Sequence, residues 1–196
     1  MNPSLRVSEI PGAYLIERKC HTDTRGTFTE LYECIDFTKL NVASVFTQLN
    51  SSISKRNVLR GLHFQWDPPM GKTMWVVSGQ ALMVAVDLRL GSPTFGKNYS
   101  VTFVGCASPW QLQTPAGFAR GFLTLEDKTT VQYLCTNCHN PEGEGTIAWN
   151  DPDLNIDWPD RAPLVSERDR TAQSLKEWLS KPESKLFQYD PERPWL

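Results

Sequence analysis

Val58-Leu59-Arg60-Gly61-Leu62-His63-Phe64-Gln65, followed by the turn Pro68-Pro69-Met70-Gly71 and then Lys72, places a guanidinium, an imidazole and an ammonium on segments otherwise apolar enough to be sheet interior. Burying a cationisable group is unfavourable unless something anionic compensates it. Three such groups on one short stretch therefore read as the lining of a pocket for a negatively charged ligand. The alternative, an edge strand pointing all three to solvent, explains each residue singly but not the cluster.

Outward from this stretch, the chain reads as short strands with Gly/Pro punctuation. Tyr14–Glu17 and Thr27–Tyr32 alternate weakly around the turn Asp23-Thr24-Arg25-Gly26, and the β-prone block from Ala43 to Asn50 puts Gln48 and Asn50 on one face. Lys72–Val77, Ala81–Arg89, Tyr99–Val104, Trp110–Gln113, Phe118–Leu125 and Thr129–Cys135 follow as further strands. Strands at this spacing with no βαβ alternation predict an all-β sandwich or barrel. A Ser166-x-x-Asp169 box ahead of Leu175, Trp178 and Leu179 predicts one short C-terminal helix. The expected organisation is a single domain over 1–196, with a core at about 10–165 and a helical tail at about 166–180.

Composition narrows the function. With 20 basic and 22 acidic residues, and a net charge of -2, the chain lacks the basic footprint of a nucleic-acid binder. No run approaches the ~18 apolar residues of a membrane span, and no secretion signal precedes the strands, so a cytoplasmic protein without membrane attachment is expected. The odd set Cys20, Cys34, Cys106, Cys135 and Cys138 argues against a disulfide framework. Cys135-Thr136-Asn137-Cys138-His139 has the spacing of a haem attachment site. Cys135 ends a strand rather than opening a helix, however, so neither haem nor redox chemistry is expected.

His63 can serve as a general base if a carboxylate holds its tautomer, and Asp169 is the candidate, although the same residue could simply be the third position of its capping box. Tyr133 shares a strand face with Val131 and Cys135, which points its hydroxyl inward. His21, His63 and His139 lie on separate segments, too dispersed for a catalytic metal centre, so no metal is expected. Gly143-Glu144-Gly145 lacks the third glycine and the helix of a dinucleotide site, so no cofactor is expected either.

Asn50-Ser51-x-x-Ser54, Val58 to Gln65, Gly71-Lys72, Val84 to Arg89, Ser92 to Lys97, Pro115-x-Gly117-Phe118-Ala119-x-Gly121-Phe122 and Trp149-Asn150-Asp151-Pro152 occur in that order. In these motifs the chain resembles the dTDP-4-dehydrorhamnose 3,5-epimerase family, from its first strands to about Asp169. The resemblance implies a cupin jelly roll, a homodimer with exchanged N-terminal strands, no metal, and a nucleoside-diphosphate 4-keto-6-deoxyhexose as substrate, with lipopolysaccharide O-antigen as the usual destination. It further implies that His63 is the catalytic base and Asp169 its partner, that Lys72 faces the C4 carbonyl oxygen, and that Tyr133 is the acid across the ring. Arg25, Glu30, Gln48, Asn50, Arg60 and Glu144 match substrate-binding positions, Arg60 near the diphosphate.

The chemistry agrees with those roles. A C–H beside a ketone is a weaker acid than an imidazolium by on the order of ten pKa units, at about 1.4 kcal/mol each. An unaided imidazole cannot bridge that gap, so a cation at the developing enolate oxygen is needed. Two departures modify the expectation. Where the family has His in Ala-His-Gly, this chain has Arg120, which cannot shuttle protons but can grip an oxyanion bidentately, and this favours inversion at C3 alone. At the positions that sandwich thymine, the chain has His21, Thr27 and Cys138 or His139. Losing stacking faces worth ~1–3 kcal/mol each favours a CDP-linked substrate.

Overall fold

The structure, a computed structural model, describes residues 4–42, 45–105 and 109–193. Ala43, at the start of the block predicted to be β-prone, and Cys106 lie outside the described residues. The elements in chain order are β1 (Ser4–Val7), β2 (Tyr14–Glu17), β3 (Cys20–Asp23), β4 (Gly26–Thr29), α1 (Cys34–Lys39), β5 (Gln48–Ser54), β6 (Leu59–Gln65), β7 (Lys72–Ser78) and β8 (Gln80–Asp87). After these come β9 (Asn98–Val104), β10 (Trp110–Thr114), β11 (Phe118–Thr124), β12 (Thr129–Cys135), β13 (Glu144–Thr146), α2 (Glu167–Arg170) and α3 (Leu175–Leu179).

The strands form a jelly-roll sandwich. One sheet has the order β1-β2-β10-β7-β12-β5 and the other β13-β6-β11-β8-β9, while β3 and β4 make a separate two-stranded hairpin. Every named strand pair is antiparallel. No helix among the described residues is long and apolar enough to cross a membrane.

Strand β8 explains why the two larger of the three buried clusters are separate, the third being Tyr14, Ile16, Phe37 and Val42. Its sequence is apolar at nearly every position, so it buries both faces. Ala81, Met83 and Ala85 face the sandwich interior with Met74, Val76, Leu112, Phe122 and Val131. Val84 and Val86 face outward, where the C-terminal chain covers them with Leu154, Trp158, Leu175, Trp178 and Phe187. The tail is therefore a structural layer. Trp178, with 0 % exposure, stacks edge-on against Phe64 at 4.6 Å. Burial of such a ring contributes roughly 1.5–3 kcal/mol, enough to hold the tail against the sheet.

The tail also corrects the expectation of one helix. Ser166 caps α2, and the chain then breaks and restarts at Ser174, whose hydroxyl accepts from the Glu177 amide while Glu177 reaches back to the Ser174 amide. This capping box, four residues after the first helix ends, makes two short helices more favourable than one long one.

Asp87, Arg89, Ser92 and Thr94, all within the quoted motifs, form a buried network that closes the turn after β8. Asp87 accepts from the Arg89 guanidinium at 2.8 Å and from the Ser92 and Thr94 hydroxyls at 2.6 and 2.9 Å. These motif residues serve the fold and stand apart from the cavity described next.

Candidate active site

Strand β6 is the element that makes a site. In a regular strand, residues 60 and 63 would point to opposite faces. Here Arg60 pairs with Phe122 and His63 with Arg120, so Gly61 and Leu62 together stand opposite Gly121. This bulge turns Arg60 and His63 to the same interior face, while Leu59, Leu62 and Phe64 remain in the outer core. Gly61 has φ +132°, and a Cβ there would lie 2.6 Å from the Gly121 Cα and 2.8 Å from the Arg120 carbonyl oxygen. Gly61→Ala is therefore expected to cost on the order of 2–4 kcal/mol through backbone strain and overpacking. Its kcat/KM should fall at least tenfold as Arg60 and His63 lose their common face. Denaturant unfolding and steady-state kinetics on the same variant check both.

Beneath that bulge lies an inner cavity of about 130 Å3 lined by Ser52, Arg60, His63, Lys72, Met74, Arg120, Phe122 and Tyr133. It opens into an outer chamber of about 410 Å3 that adds Gln48, Asn50, Cys135, His139 and Glu144. His63 comes from the five-stranded sheet, and Lys72 and Tyr133 from neighbouring strands of the six-stranded sheet, so the cavity has imidazole on one wall and phenol on the other.

His63 Nε2 lies 2.7 Å from Asp169 Oδ1. Ser166 Oγ donates to Asp169 Oδ2 at 2.9 Å while accepting the Asp169 amide at 3.1 Å. Asp169 thus makes both sets of contacts at once, since its backbone amide completes the cap and its carboxylate meets the imidazole. Burial pushes the Asp169 carboxyl up, but His63, Ser166 and the Gly61 amide outweigh it and hold the pKa below the usual value. A depressed folded value means that this contribution to stability is complete above the ordinary carboxylate pKa of about 4 and is lost as pH falls through the folded value. With Nε2 committed to Asp169, Nδ1 is the nitrogen left for a ligand.

Lys72 is half-buried, with Nζ 5.1 Å from the centroid of the Tyr133 ring. Burial, then the Arg120 guanidinium, with Arg168 adding to them, bring its ammonium down to about 8 against the opposing pull of Cys135 and Glu144. Burial also raises the Tyr133 phenol, as do Cys135 and Glu144, while Arg60 and Asn50 lower it. The net rise keeps the hydroxyl protonated at neutral pH. A cavity with a base held by a carboxylate, a protonated phenol opposite and an ammonium beside the phenol can move protons at a carbon next to a carbonyl.

The other predicted residues divide into two groups. Gln48 donates to Asn50 Oδ1 at 2.9 Å and accepts the His139 amide at 2.9 Å, which places this pair and His139 on the chamber wall. Glu144 accepts from His139 Nε2 at 3.0 Å and from Arg168. Cys138 is exposed beside this loop and Cys135 is buried; both are free thiols. By contrast, His21, Thr27 and Arg25 lie on the exposed β3–β4 hairpin, outside the cavity, and Arg25 pairs with Asp23 at 2.6 Å. Glu30 follows the hairpin and sits 3.5 Å from Arg18. Glu30, Glu33 and Asp36 are the one carboxylate group among the described residues close enough to hold a metal, and the Arg18 guanidinium bonds two of them.

Two features escaped the sequence reading. Arg168 reaches Thr146 Oγ1 at 2.9 Å and Glu144, adding a third guanidinium near the cavity, after Arg60 and Arg120, from the residue next to Asp169. Its adjacency to Asp169 was the one available signal. Arg120, expected to grip a ligand bidentately, instead spends its donors on the protein: Nε on Thr114 Oγ1 at 2.5 Å, Nη1 on the Phe118 carbonyl at 2.7 Å, and Nη2 on the carbonyls of Thr114 at 3.3 Å and Pro115. At most one N–H remains for a ligand.

A model of the dTDP-4-dehydrorhamnose 3,5-epimerase family matches residues 7–177. The chain is 40% identical over 173 residues to dTDP-4-dehydrorhamnose 3,5-epimerase of Methanothermobacter thermautotrophicus, covering 87% of this chain and 93% of that protein. Among solved structures, it superposes with TM-score 0.88 and 35% identity on the dTDP-6-deoxy-D-glucose-3,5-epimerase of Legionella pneumophila in complex with dTDP-4-keto-L-rhamnose, covering 96% of this chain and 100% of that one. It also superposes with TM-score 0.82 and 36% identity on a 3'-monoepimerase from Streptomyces bikiniensis in complex with dTDP-quinovose, covering 92% and 91%. The ligands of these neighbours are dTDP-linked, which gives the expected CDP preference no support.

Proposed function

This chain belongs to the dTDP-4-dehydrorhamnose 3,5-epimerase family, and on that premise we propose that it inverts C3 of a dTDP-linked 4-keto-6-deoxyhexose through an enolate. The observation that carries this reading is the meeting of His63 and Tyr133 from opposing sheets in one cavity with Lys72 at its wall. His63 takes the C3 proton, Lys72 stabilises charge on the C4 oxygen, and Tyr133 returns a proton from the other face. Arg60 and Arg168, both guanidinium groups near the cavity mouth, meet the diphosphate, a geometry suited to Arg.

The position of the hairpin removes the basis for a cytidine preference. His21 and Thr27 stand away from Cys138 and His139 within one chain, and Phe28, 67 % exposed on the same hairpin, is an aromatic face that the count of missing rings omitted. A hairpin exposed along both strands and carrying Arg25 supports a homodimer in which β3 and β4 complete the site of the second copy. One inversion rather than two is supported by Arg120, which offers no second imidazole beside His63.

NMR of dTDP-4-keto-6-deoxyglucose incubated with the enzyme in D2O tests the reading. One deuteron at C3, with the ketone still at C4, is the expected result. Labels at both C3 and C5 overturn the single inversion, and migration of the ketone to C3 identifies a ketoisomerase instead. Calorimetric titration with TDP, CDP and GDP should give the tightest binding for TDP.

A further inference from the structure

Arg120 is the one cationic side chain lining the inner cavity that the proposed reaction leaves unused. It is 3 % exposed, and all four of its hydrogen bonds go to neutral acceptors: one hydroxyl and three carbonyls. A buried cation without an anionic partner is costly, so its presence in the cavity calls for a function. Its position supplies one. Arg120 sits on β11 of the five-stranded sheet, yet its guanidinium crosses the sandwich to Thr114, the direct strand partner of Lys72 in the opposite sheet. Both side chains line the same 130 Å3 cavity.

We propose that Arg120 is a fixed internal charge that acts through Lys72, making the lysine share its proton more readily with the oxygen of a bound ligand. This rests on the reading of Lys72 as the group that faces the substrate carbonyl. Arg120 is a positioning residue in this scheme, since its own donors are consumed by the loop between β10 and β11. The groups facing Lys72 are Arg120 from β11, Tyr133 and Cys135 from β12, Glu144 from β13, His139 from the loop before it, Arg60 and His63 from β6, and Arg168 from α2. Burial is the largest influence on Lys72 and Arg120 the next, with Glu144 and Cys135 pulling the other way. Arg120 itself is brought down by burial, to about 9, and stays charged at neutral pH.

The consequence for the reaction is a donor better matched to an enolate. An ammonium whose pKa lies near working pH gives up its proton to a developing oxyanion more completely than an ordinary lysine. The proton lent to the substrate oxygen returns to Nζ when the ketone re-forms, so Lys72 ends each turnover as it began.

The test needs no substrate. Acetic anhydride labelling of the native protein across pH, with peptide mass spectrometry and surface lysines as internal reference, reads the titration of Lys72 directly. The expected midpoint is about 8. In Arg120→Gln it should rise by roughly one unit or more, and in Arg120→Lys, which keeps the charge, it should stay nearly unchanged. The alkaline limb of the pH profile for solvent deuterium exchange should move with it, which a merely structural role would not produce. A wild-type midpoint at the ordinary lysine value overturns the proposal even if Arg120→Gln fails to fold, as does an Arg120→Gln midpoint equal to that of the wild type. A shifted midpoint in a protein that turns over no 4-keto sugar supports the Arg120–Lys72 coupling and defeats the epimerase reading. Turnover without the shift does the reverse.

Discussion

His63→Asn is expected to lower kcat and kcat/KM together by two to four orders of magnitude, the range for removing a positioned general base. The equal fall follows from the role, because an imidazole that accepts a proton only as the C–H bond breaks contributes little to binding the ground state. The fold should survive the change. Asp169 keeps the Ser166 hydroxyl and its backbone bond to Gly61, so its carboxylate is not stranded when the imidazole goes. Thermal unfolding should therefore shift by only a few degrees, corresponding to about 1 kcal/mol for a domain of this size. Steady-state kinetics beside a melting curve check the pair of outcomes. A large drop in stability would mean that the kinetic loss reports unfolding.

The size of that effect has a second source in the ledger of acidity. The base faces a C–H acid weaker by on the order of ten pKa units, roughly 14 kcal/mol. His63 cannot close that gap alone, and neither can a single hydrogen bond at about 1–3 kcal/mol. Lys72 in a half-buried cavity, with burial and Arg120 both acting on its proton, is the group in the right place to contribute the larger share. The account is therefore cooperative, and removing either partner should expose most of the barrier.

How far these conclusions could be read from the chain alone depends on which kind of signal carried each residue. The strands were legible because β7, β8, β11 and β12 have apolar runs bounded by Gly, Pro or polar turns, and their limits fall within a few residues of the expected ones. Tyr133 was legible for the same reason, since Val131, Tyr133 and Cys135 share a face by simple alternation. Arg60 and His63 line one cavity, for a reason the sequence carries only in part. Alternation puts them on opposite faces, and only the bulge at Gly61, which depends on a second glycine sixty residues later at Gly121, brings them together.

Other features depend on long-range packing that no local pattern encodes. The second core formed by the tail needs Trp178 to meet Phe64, and the sequence spacing says nothing about that distance. The displacement of the β3–β4 hairpin from the cavity was equally hidden, because His21 and Thr27 alternate as well on an isolated hairpin as on a sheet strand. Arg120 was identified as the informative departure, but the donors expected to grip a ligand bidentately are bonded to Thr114, Phe118 and Pro115. A buried arginine with all its bonds to neutral loop atoms can be recognised only when the carbonyls of Thr114, Pro115 and Phe118 are seen to converge on it.

Tyr133→Phe separates the two halves of the reaction and carries the second large expectation. With the phenol gone, His63 and Lys72 should still form the enolate, but no phenol stands opposite the imidazole to return a proton to C3, and the Lys72 ammonium is assigned to the C4 oxygen instead. Net inversion should fall by at least about a hundredfold, the lower end for loss of a general acid. Exchange of the C3 hydrogen should persist, because His63 can return a deuteron to the face from which it took the proton. The phenol is held protonated by burial and by Cys135 and Glu144 around it, which suits a donor and makes its replacement by Phe nearly isosteric. The decisive measurement is an NMR time course of the C3 position in D2O with the Tyr133→Phe enzyme and a dTDP-4-keto-6-deoxyhexose. Deuterium entering at C3 with retained configuration is the predicted result; inversion continuing at the wild-type rate, or exchange lost along with inversion, would contradict a cavity that works from its two walls.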